Sequence, residues 1–109
     1  MVKSKDKGNH YEQKIAGEFR LFLGMGGCVT SRSESKSRDD EKVDLCNTDP
    51  FNVQCKAWER APSYHDVLSE MPEDGNINVI FHKRNRKGDV VVMRKEDFYK
   101  LAWGFLNAK

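Results

Sequence analysis

Apolar residues in this chain occur in short segments, and their spacing changes from one segment to the next. Each segment is far shorter than the roughly 20 apolar residues of a membrane-spanning helix, so we predict no membrane partner. Some segments repeat apolar residues at three- and four-residue steps, as helices packed on one face do, and others are short β-branched runs typical of strands. A chain of 109 residues with this mixture is expected to form one α/β domain around one core.

Three segments have helical spacing, and two of them begin with a capping signal. Asn9 with Glu12, and Ser63 with Asp66, stand three residues apart as in a capping box, in which side chains satisfy the first backbone N–H groups of the helix. A helix that begins after Asn9 leaves residues 1–8 as a basic N-terminal arm and residues 9–109 as the domain. We predict helices over residues 10–23, 63–71 and 95–106.

Five short segments are expected to be strands, and two turn sequences join four of them in pairs. The turn at residues 47–50 contains Asn, Asp and Pro, and the turn at residues 83–88 is basic and ends in Gly, so each predicts an antiparallel hairpin. Residues 33–40 are polar and predict a loop. The predicted order is αβββαββα, a mixed central sheet flanked by helices. The predicted strands cover residues 28–32, 42–46, 51–57, 77–82 and 90–93.

The first predicted hairpin separates polar from apolar side chains. If Asp49 is the centre of its turn, Asp44 lies opposite Gln54, and alternation places both on one face with Lys56. Carboxylate and amide oxygens are ligands that Mg²⁺ prefers, and a nearby ammonium suits phosphodiester hydrolysis. The alternative is a solvated sheet face with a plain Asp44–Lys56 pair. The residues expected on the apolar face are Val43, Leu45, Val53, Cys55 and Ala57.

Glu12 lies on the apolar stripe of the first predicted helix, three residues before Ile15 and seven before Phe19. A carboxylate that faces a core is costly unless it is paired or bound to a cation. Two compatible roles are open: Glu12 caps the helix together with Asn9, or it adds an oxygen ligand to the hairpin site.

The cysteines and histidines indicate neither a disulfide framework nor a zinc site. Three cysteines without a CxxC pair predict reduced thiols that fill apolar space, and the three histidines are dispersed without metal-ligand spacing. These residues are Cys28, Cys46, Cys55, His10, His65 and His82. The first residues have no apolar segment of the kind found in secretory signals, so we expect a cytoplasmic location.

Basic residues gather in three clusters, although the net charge is only +2. Such clusters neutralise nucleic-acid phosphates, or they are simply solvated turns. The candidate DNA-binding residues are Lys3, Lys5, Lys7, Arg32, Lys36, Arg38, Lys83, Arg84, Arg86 and Lys87.

Four short motifs stand within the first 57 residues. They are Gly8-x3-Glu12 at the first helix, Ser-Arg-Ser-x-Ser from Ser31 to Ser35, Val43-Asp44-Leu45, and Val53-Gln54-Cys55-Lys56. In this order the motifs resemble the PD-(D/E)xK nucleases, and among them the small archaeal-type Holliday junction resolvases, which also occur in viruses. The later helix, strand pair and helix agree with that family in order only.

The resemblance implies a role for four of these residues. Glu12 and Asp44 correspond to the family's metal-binding acids, for Mg²⁺ or Mn²⁺, and Lys56 corresponds to its catalytic lysine. Gln54 stands at the third metal-binding position, where the family usually has glutamate, and its neutral oxygen is a weaker ligand for Mg²⁺.

The resemblance also implies a substrate, a serine and an oligomeric state. It predicts paired phosphodiester hydrolysis of four-way DNA junctions by a homodimer without a small-molecule cofactor, in a bacterial or archaeal cell or a virus-infected host. The serine that the family uses near the scissile phosphate corresponds to Ser33 or Ser35. Trp103, Phe105 and Leu106 give the last helix apolar surface that fits a dimer interface or a buried terminal helix. Two alternatives are a structure-specific or duplex endonuclease and a nucleic-acid-binding module with weakened catalysis.

Overall fold

The computed structural model describes residues 4–34, 41–60 and 62–108, with side chains from residue 7 onward except those of residues 33 and 34. The helices are α1 (Ser4–Phe22), α2 (Ser31–Glu34), α3 (Tyr64–Glu70) and α4 (Lys95–Leu106). The strands are β1 (Val29–Thr30), β2 (Leu45–Cys46), β3 (Phe51–Lys56), β4 (Ile77–Arg84) and β5 (Gly88–Met93). This arrangement confirms the predicted α/β domain. It adds one short helix, α2, which replaces the last two residues of the strand predicted over residues 28–32 and the start of the predicted loop.

A three-stranded mixed sheet forms the centre of the domain. Strand β4 pairs in parallel with β3 and antiparallel with β5. Parallel neighbours need a long crossover connection, and α3 lies in the connection between β3 and β4. Strands β1 and β2 form a separate antiparallel pair, in which Val29 lies opposite Cys46.

The main core fills the space between α1 and the sheet. Ile15 and Phe19 of α1 belong to one apolar cluster with Val53 of β3 and Val79 of β4, as the spacing of apolar residues along α1 requires. Phe19 also meets the ring of Phe81 edge to face, with ring centroids 5.5 Å apart. The three cysteines are free and buried, as predicted.

Helix α3 covers a second, smaller cluster, in which Leu68 packs with Ile80 of β4. His82, two residues along β4, is buried and hydrogen-bonded through both ring nitrogens. Tyr64 Oη lies 2.8 Å from Nδ1, and Nε2 lies 2.7 Å from the Trp58 carbonyl oxygen. A proton on Nε2 satisfies both partners, so His82 ties α3 and the chain after β3 to the sheet.

The starts of two helices differ from the predictions. Helix α1 begins at Ser4, so Asn9 and Glu12 lie inside the helix and do not form the predicted capping box. Residues 4–8 of the predicted basic arm are therefore helical, because a helix nucleated by its apolar stripe extends readily into solvated polar residues. Helix α3 follows Ser63 as predicted, but the Ser63 side chain makes no capping hydrogen bond.

The first predicted hairpin is wrong, although its turn forms. Strand β2 pairs with β1, and β3 pairs with β4, so β2 and β3 make no ladder with each other. A backbone hydrogen bond from Asp44 N–H to the Val53 carbonyl (2.7 Å) still links the two segments. Asp44 therefore lies beside Val53 rather than opposite Gln54. The second predicted hairpin, β4 with β5, is confirmed.

Helix α4 has the predicted bounds, but none of its residues is buried. Trp103 is 70% exposed and Phe105 is 83% exposed, so in this chain α4 is not a buried terminal helix. Of the apolar residues of α4, only Leu101 packs against the main core. None of the helices in the described part of the chain is long and apolar enough to cross a bilayer.

Candidate functional site

One cavity of about 530 Å³ brings together side chains from three distant parts of the chain. Its lining includes Glu12 from α1, Asp44 from the segment before β2, and Gln54 and Lys56 from β3. Alternation along β3 and the backbone link from Asp44 to Val53 are enough to bring these groups together. The sequence pattern predicts the same convergence, although through a hairpin that does not form.

Asp44 is held by hydrogen bonds of its backbone N–H, its backbone carbonyl and its side-chain carboxylate. Besides the bond from its N–H to Val53, its carbonyl accepts the Ser31 N–H at 2.8 Å. Its carboxylate Oδ2 accepts the Cys55 N–H at 2.7 Å. A carboxylate anchored in this way is already oriented toward the cavity and needs little rearrangement to bind a ligand.

Gln54 has a buried oxygen without a hydrogen-bond partner. Its side chain is 6% exposed, and Oε1 accepts no hydrogen bond from any described residue. A buried polar atom left unpaired costs roughly 1–3 kcal/mol, and native structures contain few of them. This oxygen lines the same cavity as the Glu12 and Asp44 carboxylates. It is therefore available to a ligand bound there.

Glu12 is buried, with 5% of its surface exposed, and it forms a two-pronged ion pair with Arg32 of α2. Arg32 Nε lies 3.1 Å from Oε1, and Nη2 lies 3.2 Å from Oε2. Bidentate pairing explains how a carboxylate tolerates this position. Arg32 was predicted only as a phosphate contact, and nothing in the sequence spacing indicated that it pairs with Glu12 across 20 residues.

Lys56 lies over an aromatic ring at the same cavity. Its Nζ is 4.4 Å from the centroid of the Trp58 ring, within the range of a cation–π interaction. Trp58 lines the cavity and is half exposed. The ring therefore holds the ammonium near the opening without neutralising its charge.

The pKa of the Cys55 thiol reports the electrostatics of this region. Burial, followed by the nearby carboxylates of Asp44 and Glu12, raises this pKa well above its usual value, and Lys56 only partly opposes the shift. Cys55 therefore stays protonated and is not a nucleophile, although it lines the cavity. The same carboxylates would interact favourably with a bound cation.

Several predicted residues lie outside the described part of the chain. The backbone of Ser33 belongs to α2, but its side chain is not described, and the same holds for Lys5 in α1. The residues that lie wholly outside are Lys3, Ser35, Lys36 and Arg38.

The remaining predicted DNA-binding residues occupy three places. Lys7 and Arg32 line the cavity with the candidate site. Lys83 lines a second cavity beside it. The others are exposed at the turn between β4 and β5, and they are Arg84, Arg86 and Lys87.

The donor atoms in the cavity fit a hard divalent cation. The carboxylates of Glu12 and Asp44 and the unpaired Oε1 of Gln54 are all oxygen ligands, which Mg²⁺ prefers. Among the described side chains, those of residues 7–32, 41–60 and 62–108, no three His, Cys, Asp or Glu form a metal-binding group. A three-ligand set built from these side chains therefore requires the Gln54 amide.

Comparisons of the chain with protein-family models, with curated proteins and with solved structures find no match. What the chain does must therefore be inferred from the residues of the cavity and from the four motifs that contribute to it.

Proposed function

We propose that the chain is a metal-dependent DNA endonuclease that resolves four-way junctions by paired cuts. The observation that carries the proposal is the unpaired, buried oxygen of Gln54, in a cavity shared with the Glu12 and Asp44 carboxylates and with Lys56. A solvated polar sheet face, the alternative from the sequence, would leave Gln54 exposed to water. Its burial favours a ligand site instead.

Glu12, Asp44 and Gln54 would hold Mg²⁺ or Mn²⁺ in this proposal. A cation bound there supplies positive charge that polarises a phosphoryl oxygen and acidifies a water molecule. Because the Gln54 oxygen is neutral, the three residues offer less negative charge than three carboxylates would. We therefore expect this chain to need a higher cation concentration than a Gln54→Glu variant.

Lys56 and Arg32 contribute the positive charge of the protein itself. The Lys56 ammonium, positioned by Trp58, stabilises the negative charge that develops on the phosphate or orients the attacking water. Arg32 holds the Glu12 carboxylate through both of its oxygens and so positions that ligand. Lys7 and Arg60, which also line the cavity, bind flanking phosphates.

Paired cuts require two sites, and the exposed surface of α4 supports a homodimer. We call this surface the α4 face, and its exposed large apolar residues are Phe98, Tyr99, Trp103, Phe105 and Leu106. A 12-residue helix without a buried residue gains little stability from propensity alone, and large exposed apolar patches often mark interaction sites. A second copy of the chain, seated on the α4 face, would cover it.

A cleavage assay tests the proposed activity. The chain is expected to nick two opposed strands of a synthetic four-way junction symmetrically in Mg²⁺ or Mn²⁺, and to give no product in EDTA. The matched control is a linear duplex with the sequence of one junction arm, which should remain uncut. Equal cutting of the duplex would contradict junction specificity, and tight binding without any product would indicate a nucleic-acid-binding module instead.

A further inference from the structure

A second cavity, of about 500 Å³, adjoins the candidate site. It shares Lys7 and Ala57 with the first cavity, so the two cavities are neighbours, and we call the pair the trough. We call the second cavity the lysine cavity, and its other lining residues are His10, Tyr11, Lys14, Lys83 and Asn85. In the described part of the chain no carboxylate lines the lysine cavity, whereas Glu12, Asp44 and Glu59 line the first. One half of the trough therefore suits a cation, and the other suits an anion.

Regular structure fixes where the cationic groups of the lysine cavity stand. Lys7, His10 and Lys14 follow one another at three- and four-residue steps along α1, so they share one helix face. Lys14 is seven positions after Lys7, which corresponds to a rise of about 10.5 Å along the helix axis. Lys83 comes from β4, so a ligand in this cavity meets ammonium groups from two elements.

Two acidic residues, Glu59 and Asp89, lie beside the lysine cavity. The Glu59 carboxylate accepts from Lys7 Nζ at 2.9 Å and from the Asn85 N–H at 3.2 Å, which ties α1 to the β4–β5 turn. These two donors, Lys7 first, lower the pKa of the Glu59 carboxyl. Asp89 lies opposite Lys83 in the β4–β5 register. The exposed Lys7–Glu59 ion pair is weak, so it does not prevent Lys7 from meeting a phosphate.

Tyr11 adds a neutral donor to the same cavity. Burial, followed by the nearby Asp89 carboxylate, raises the pKa of the Tyr11 hydroxyl above its ordinary value. The hydroxyl therefore stays protonated beside an anion at any pH at which the protein works.

We infer that the lysine cavity binds a backbone phosphate of the nucleic-acid strand next to the phosphate that is cut. The inference rests on the proposed function for the identity of the polymer. A strand that enters the first cavity reaches the lysine cavity past Lys7, because the two cavities are neighbours and share that residue. Ammonium groups inside a concave trough suit a strand better than a flat anionic membrane, and such contacts bind without reading sequence.

The experiment measures DNA binding at several salt concentrations in EDTA, so that it does not depend on cleavage. The variant is Lys14→Gln with Lys83→Gln, and the probe is a fluorescent linear duplex. Each neutralised phosphate contributes about 0.9 to the magnitude of the slope of log K against log salt. Because the two lysines share one phosphate in this inference, we expect the magnitude of the slope to fall by about 0.9 per protomer. Lys14→Arg with Lys83→Arg should keep the original slope.

The matched control carries the same loss of charge on α4, as Lys95→Gln with Lys100→Gln, and is expected to change the slope less. An unchanged slope in the Lys14/Lys83 variant, or a change equal to that of the control, would overturn the inference. So would a variant that loses binding to phosphatidylserine vesicles while it keeps the wild-type DNA slope. If the slope falls as expected but no junction is ever cut, the lysine cavity stands and the nuclease proposal fails. If junctions are cut and the slope does not change, the nuclease proposal stands and the inference about the lysine cavity fails.

Discussion

Asp44→Asn is expected to lower junction cleavage by at least about 100-fold, because loss of a ligand charge should cost more than the roughly 10- to 100-fold effect of outer-shell changes at metal sites. Asparagine has nearly the same shape as aspartate, and its Oδ1 still accepts the Cys55 N–H that holds Asp44 in place. The fold and the positive charges that are proposed to bind DNA are therefore retained. Binding of the junction should be unchanged or tighter, because a negative charge has been removed from the trough.

The measurement compares initial rates of nicking in Mn²⁺ with junction affinity in EDTA. Asp66→Asn is the matched control, since Asp66 is an exposed acid in the first turn of α3, and it should cut at the wild-type rate. A nicking rate within a few-fold of wild type in Asp44→Asn, with binding intact, would show that Asp44 is not part of the active site.

Trp103→Glu with Phe105→Glu is expected to convert the proposed homodimer into monomers. Both side chains are more than two-thirds exposed in one chain, so the substitutions disturb little packing within the protomer. Aromatic residues at the centre of an interface often contribute about 2 kcal/mol or more each, which is about 30-fold per residue in the dimer dissociation constant. A buried, unpaired glutamate at the same place adds a further cost.

Analytical ultracentrifugation over a range of chain concentrations measures this effect. Lys95→Glu is the control, because it places a glutamate on an exposed polar position of the same helix. The monomeric variant should nick junction strands singly rather than in pairs, since each protomer has only one site. A wild-type chain that remains monomeric at high concentration would contradict the proposed role of the α4 face.

Local sequence signals predicted the helices and the second hairpin well. The three- and four-residue spacing in α1 and α4 and the basic turn between β4 and β5 involve neighbours in sequence, so periodicity and turn chemistry identify them. In place of the first hairpin, β2 pairs with β1 and β3 pairs with β4, and the parallel β3–β4 pairing joins Phe51 to Ile77 across a helix. Turn residues carry no information about such distant pairings.

The parts of the candidate site that depend on local periodicity were predicted, and the parts that depend on distant packing were not. Alternation alone places Gln54 and Lys56 on one side of β3, and the apolar stripe of α1 turns Glu12 inward. The pairing of Glu12 with Arg32 depends on how α2 packs, and α2 has no apolar periodicity to reveal it. Lys14 also went unnoticed, because it stands outside the basic clusters and joins Lys7 only through the geometry of α1.

A crystal soaked in MnCl₂ and measured at the manganese absorption edge tests the proposed metal site most directly. We predict one anomalous peak in the first cavity, within bonding distance of carboxylate oxygens of Glu12 and Asp44 and of Oε1 of Gln54. Occupancy should fall in an Asp44→Asn crystal soaked in the same way. A cavity without anomalous density at saturating Mn²⁺, or a peak held by other residues, would contradict the account.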